Sequence, residues 1–318
     1  MSHFFLFTLI IIFNSLAPAM NMAEVWGQSA TGSFFNGDRK SAAISLGIGT
    51  YQNTFQVNSL YSLQTTNNNF SQIGVSLNKA VFQINLPSSE ANETYTKKID
   101  SKIIFYSLAY AFSENFSLEG NYRSRNGFYL QGDQKTTGNT TIYKLPNLRI
   151  SQVGLIGTYT FEKDHKSFLV DPVLYEKRDD SSSWIIISKL NHMNFSSLED
   201  LALLTNLKSN ADITSAEVDL LETSIAYSKN AFWEHWFLGG AFGLGLNVNR
   251  VKTRMISTPD TVDVKMAATV QLTGSVGYIW TSFKTGLYVN LSNTRINVRN
   301  YEFGDTSGMA GYYVGYQF

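Results

Sequence analysis

After about residue 40, apolar residues recur at every second position, the period of a strand with one greasy face. In 41–50 ("SAAISLGIGT") Ala42, Ile44, Leu46 and Ile48 oppose Ser41, Ala43, Ser45 and Gly47. In 116–125 ("FSLEGNYRSR") Phe116, Leu118 and Tyr122 oppose Glu119, Asn121, Arg123 and Arg125, so the second face carries charge. Trp236, Leu238, Phe242, Leu244, Leu246 and Val248 alternate with Gly239, Ala241, Gly243 and Gly245. Val262, Val264, Met266, Val270, Leu272, Val276 and Tyr278 continue the scheme against Lys265, Thr269, Gln271 and Thr273. Phe283, Leu287, Val289 and Leu291 then face away from Lys284, Tyr288 and Asn290. The chain ends in the same rhythm, with Tyr312, Val314, Tyr316 and Phe318 against Gly311, Tyr313, Gly315 and Gln317.

These segments are close to the nine to eleven residues of a tilted membrane strand. A soluble β-sandwich also alternates, so the connections matter. Short turns at 113–115, 162–166 and 281–282 contrast with long polar stretches at 87–100, 131–147, 250–260 and 295–308. Short turns at one end and long loops at the other are the habit of outer-membrane barrels. Trp233, Trp236, Tyr278 and Trp280 sit near strand ends, where an interfacial girdle forms. The expected fold is an all-β, antiparallel transmembrane barrel of about twelve strands, with ten and fourteen also compatible. The strand ending in Phe318 closes it by pairing with the first, which leaves no free edge.

Two regions resist this scheme. Strand-like runs at 167–177, 183–195 and 218–229, with a helical turn between the last two, give an odd number of crossings between the turns at 162–166 and 230–233. Residues 41–63 read as one bent strand or as a hairpin.

Composition narrows the compartment. Residues 4–16 ("FFLFTLIIIFNSL") have the length of a signal-peptide core, and Ala17-Pro18-Ala19 supplies a cleavage pattern. The expected organisation is a signal peptide over 1–19, an N-terminal periplasmic segment over 20–40 and the barrel over 41–318, in a Gram-negative outer membrane. Aromatics are 14% and charged residues 16%, with no cysteine, so an exported chain of this kind has no disulfide framework. Lys+Arg and Asp+Glu balance at 25 each, which gives no sign of a nucleic-acid partner. The expected partners are outer-membrane lipid and the barrel-assembly machinery, with Tyr312, Val314, Tyr316 and Phe318 as the assembly signal.

Several segments, "NGFYLQGD", "LPNLRISQVGLIGTYTFEKDHKSF", "YEKRDDSSSWIIIS" and "FWEHWFLGGAFGLGL", together resemble a family of uncharacterised bacterial outer-membrane proteins. Gly127-Phe128-Tyr129, Pro146-Asn147-Leu148 and Lys166-Ser167-Phe168 match its successive motifs, whereas Arg178-Asp179-Asp180-Ser181-Ser182-Ser183 departs from its serine stretch. The resemblance implies a barrel and no assigned activity.

Candidate chemistry is sparse. His165 and His235 read as solvated turn residues. Near His192 lie Ser182, Ser183, Ser188, Asn194 and Ser196, the residue types of an acyl hydrolase, but no G-x-S-x-G elbow accompanies them. No histidine pair has a metal-ligand spacing, and Gly243–Asn247 reads as small residues on a crowded strand face. No catalytic residue and no cofactor are expected. The candidate lumen residues are Glu119, Arg123, Arg125, Lys265 and Lys284, either as a satisfied internal network or as a constriction favouring anions. The expected role is structural or passive passage of small solutes. A weakly selective channel, a surface lipid hydrolase and a soluble sandwich are the competing readings.

Overall fold

The structure, a computed structural model, describes residues 42–56, 61–64, 68–77, 80–87, 102–113, 115–132, 141–162, 165, 180–198, 213–255, 259–280, 283–298 and 301–317. Among the described residues there are thirteen strands: β1 (Ala42–Gln56), β2 (Tyr61–Gln64), β3 (Asn68–Leu77), β4 (Ala80–Pro87), β5 (Lys102–Ala111), β6 (Phe116–Gly132) and β7 (Thr141–Thr160), then β8 (Ser181–Ser196), β9 (Ile213–Trp233), β10 (Trp236–Met255), β11 (Thr261–Ile279), β12 (Phe283–Val298) and β13 (Tyr301–Gln317). Twelve of them, all but β2, form a closed antiparallel ring. The ring closes where β1 meets β13, with Ala43 opposite Gln317 and Ile48 opposite Tyr312. Phe318 lies outside the described residues.

The outer surface explains the alternation. On β10, Leu238, Phe242, Leu244, Leu246 and Val248 point outward and are exposed. Ten residues separate Leu238 from Val248, which at about 3.3 Å each and a tilt of about 40° gives an apolar belt about 25 Å tall. That is the hydrocarbon height a transmembrane barrel must match. At the end holding the ring's first and last residues, aromatic rings touch in series around the outside. Tyr110, Phe112 and Phe116 form one run, Tyr159 meets Phe161, and Trp184 meets Tyr227. Trp236, Tyr278, Trp280, Phe283 and Tyr316 form the longest run. This is the girdle that Trp and Tyr make at a membrane interface.

At the opposite, distal end the polarity of β7 to β10 inverts without any change of phase. Outward side chains become polar: Arg149, His192, Asp219, Glu217, Arg250 and Arg254. Inward ones become apolar, with Leu148, Ile150, Phe195, Val218, Leu220 and Val251 all buried. Below the boundary the solvent outside is lipid; above it the solvent is water, and the strands bury their apolar face inward as a soluble protein does. Residues 131–132, 141–147 and 250–255, expected within long loops, are therefore strand, as are 295–298 and 301–308 of the loop expected at 295–308.

Within 41–63 the described residues form two antiparallel strands, β1 and β2. The short β2 pairs with β1 at Thr54–Gln56 and with β6 at Tyr129–Gly132. Lower down, β3, β4 and β5 separate β1 from β6; higher up, β2 alone does so. The wall thus tapers from twelve staves to ten, and Leu63 of β2 fills the narrowed distal core.

A bulge beside it involves the two motifs noted in the sequence. Asn126 pairs with Arg149 but Phe128 pairs with Leu145, so Gly127 alone faces Pro146, Asn147 and Leu148. Gly127 has φ 77°, a conformation that costs a side-chain-bearing residue, and Pro146 is tolerated because a bulge needs no ladder donor there. The device turns Phe128 and Leu148 into the core, where both are fully buried.

Crossing parity closes because β7 and β8 pair directly, from Thr160 opposite Ile185. The run at 167–177 lies outside the described residues, in the 161–180 connection between them.

Candidate functional site

The lumen is the first candidate. Inward residues from all twelve staves are mostly buried, including Gln72, Gln83, Asn121, Gln152, Asn247 and Asn290. A polar middle layer holds them between the distal apolar core and a smaller apolar cluster of Ile156, Ile185, Ile187 and Ala226. Within the layer, Lys189 Nζ lies 2.9 Å from Glu222 Oε1, both side chains being at most 3% exposed. Gln271 Nε2 donates to the same carboxylate oxygen at 2.8 Å and to Ser224 Oγ at 3.2 Å. Thr294 Oγ1 donates to Glu222 Oε2 at 3.4 Å. One carboxylate therefore joins β8, β9, β11 and β12. It can do so because β10 presents Gly243 and Gly245 where longer side chains would intervene, and a Cβ on Gly245 would collide with Ser224.

Glu119, Arg123 and Arg125 face inward from β6 and are buried, Arg123 lying over the Phe105 ring at 5.7 Å. Lys284 is also inward and buried, on β12. Lys265 is not with them. It keeps the inward phase of β11 but is exposed, because β11 pairs with β12 only as far as Thr269 opposite Thr294. Residues 261–268 thus rise beyond that neighbour, and among the described residues nothing roofs the side chain. Tyr313 is inward and fully buried, while Tyr312, Val314 and Tyr316 point outward.

The histidines differ from expectation in one case. His235 is exposed and tilts against the Tyr278 ring. His165 is buried rather than solvated: its Nδ1 lies 3.0 Å from Ser181 Oγ, and its backbone N–H donates to Glu162 O. Burial holds its imidazole at about 4, well below the ordinary value.

His192 lies on the outer surface with Asp219, which sequence reasoning did not single out. Nδ1 of His192 is 2.8 Å from Asp219 Oδ1, and Arg250 Nη1 is 3.6 Å from Asp219 Oδ2. Asp219 stands directly across from His192 on β9, 27 positions away in sequence, so only strand register reveals the pair. The serines flanking His192 on its own strand make no bond to it.

Several solved structures are similar in fold. They include the outer-membrane protease OmpT from Escherichia coli, at 10% identity over 88% of this chain and 97% of that one, with a TM-score of 0.41. The translocator domain of the autotransporter NalP from Neisseria meningitidis matches at 10% identity over 91% and 92%, with a TM-score of 0.40. A FadL homologue from Pseudomonas aeruginosa matches at 8% identity over 95% and 99%, with a TM-score of 0.32. No curated protein matches the chain. The model of a domain of unknown function, DUF4421, matches residues 32–318, and the chain belongs to that family.

Proposed function

We propose that the protein is an outer-membrane barrel with a closed lumen, serving a structural role and passing at most very small solutes. The observation that supports this is the buried middle layer, in which Glu222 ties four staves together. An ion pair so deeply placed acts as packing, since its charges have little left to offer a permeating ion. The inward Arg123, Arg125 and Lys284 favour the second reading, a narrow path selective for anions, but their burial fits the packed interior better.

The apolar belt and the aromatic girdle support residence in a membrane, and the apolar run at 4–16 supports export. On this reading the girdle end faces the periplasm and the distal end faces outward. The protein should fractionate with outer membranes and migrate faster on gels when unheated. Vesicles carrying the folded protein should swell no faster in small sugars than empty ones. Swelling at the rate of an open pore, or recovery in the soluble periplasm, would overturn the reading.

A further inference from the structure

The outward residue immediately above the apolar belt is Ser151 on β7, His192 on β8, Asp219 on β9 and Arg250 on β10. Each follows the last lipid-facing apolar residue of its strand: Val153, Leu190, Leu221 and Val248, all exposed. His192 is directly opposite Val153 and Asp219, and Arg250 is directly opposite Asp219. Ser151 is the diagonal neighbour of His192, about 7 Å away between backbones and within reach of an imidazole. It stands directly opposite Asn194.

The geometry points to a surface ester hydrolase site at Ser151, His192 and Asp219, acting on the acyl esters of membrane lipids. Asp219, a carboxylate, can only accept, so His192 Nδ1 donates in their 2.8 Å bond, and in the neutral ring the basic nitrogen is then Nε2. Among the described residues Nε2 makes no hydrogen bond, and His192 itself stands between Ser151 and Asp219 in the row. Acyl esters lie where hydrocarbon gives way to headgroups, which is the depth of this row, where His192 and Asp219 stand one pleat above Leu190 and Leu221. Arg250, 63% exposed, is placed for the headgroup phosphate, and Asn194, exposed and directly opposite Ser151, offers an amide donor for an oxyanion.

In the reaction, Ser151 Oγ bonds to the ester carbonyl carbon as its proton passes to His192 Nε2. Asp219 holds the imidazolium. The tetrahedral intermediate expels the lipid alkoxide, which takes that proton and leaves as the alcohol. Water then repeats the sequence on the acyl-serine, releasing the fatty acid and restoring the serine. The net reaction is ester plus water to acid plus alcohol, with no redox partner. This activity sits on the outer wall and does not depend on the state of the lumen.

The test uses the full mature chain folded in detergent micelles, with a medium-chain p-nitrophenyl ester as substrate and a fluorophosphonate as covalent probe. Wild type should hydrolyse the ester and carry the phosphonate on Ser151 by peptide mass. Ser151→Ala and His192→Ala should lose at least about 100-fold in rate, and Asp219→Asn somewhat less, while Ser188→Ala, on the lipid belt, should keep full rate. All four positions are at the surface, so the heat-modifiable band confirms folding in each variant. Folded wild type that neither hydrolyses the ester nor takes up the phosphonate would overturn the proposal. So would an unchanged rate in Ser151→Ala.

Discussion

Lys189 and Glu222 face each other across β8 and β9, 2.9 Å apart and almost wholly enclosed. Removing one partner leaves a buried charge without its counterion, at a cost of about 3–5 kcal/mol. Glu222→Leu should therefore lower the midpoint of urea unfolding strongly, whereas Lys189→Met combined with Glu222→Leu should recover much of the loss. Equal loss in the single and double variants would show that the pair matters only for its shape.

The orientation of β6 gives a second expectation. Tyr122 points to lipid and stacks on Tyr106 at 6.4 Å, whereas Arg123 is inward and buried. An arginine facing lipid near the midplane costs about 2–4 kcal/mol. Tyr122→Arg should reduce the folded fraction on refolding into vesicles, and Arg123→Ala should still insert. The reverse outcome would invert the assignment of this strand.

Gly127 supports a third. At φ 77° a β-branched residue is strained by about 1–3 kcal/mol. Gly127→Val should loosen the bulge that seats Phe128 and Leu148, seen as faster limited proteolysis within 126–148 while the belt still protects the remainder. Unaltered cleavage would mean that the bulge is not held by this residue.

Burial of His165 predicts a pH dependence. Its folded value of about 4 lies below the unfolded value of 6.5. As pH falls through 6.5 the unfolded chain gains a proton that the folded chain refuses, so stability declines until about pH 4 and then levels off. The full effect is roughly 3 kcal/mol. His165→Gln should flatten the difference in unfolding midpoint between pH 7 and pH 4. An identical slope in wild type and variant would contradict the buried, neutral imidazole.

Much of the barrel was legible because lipid imposes a strict rule on every outward position. The faces of β1, β10, β11 and β12 could be read residue by residue, and Trp236 and Tyr278 marked the girdle. Legibility failed where the surrounding solvent changes. Beyond Val248 the outward residues are Arg250, Lys252 and Arg254 while Val251 turns inward, so a strand that keeps its phase looks like a polar loop. The same continuation misled the placement of Lys265, whose phase is inward but whose neighbour strand has ended. Glu119, Arg123, Arg125 and Lys284 were recognisable as inward charges by alternation alone. Glu222 and Lys189 were not, since their meaning lies in a register between strands. The pairing of His192 with Asp219 is hidden in the same way.

The closed lumen is tested most directly by single-molecule conductance in planar bilayers, with folded wild type and Glu222→Ala measured side by side in 1 M salt, a concentration at which any aqueous path carries current. Wild type should insert without resolved conductance steps, and the variant, having lost the carboxylate that joins β8, β9, β11 and β12, should show small, flickering openings. Stable, stepwise conductance from the wild-type barrel would contradict the packed interior and establish an open channel.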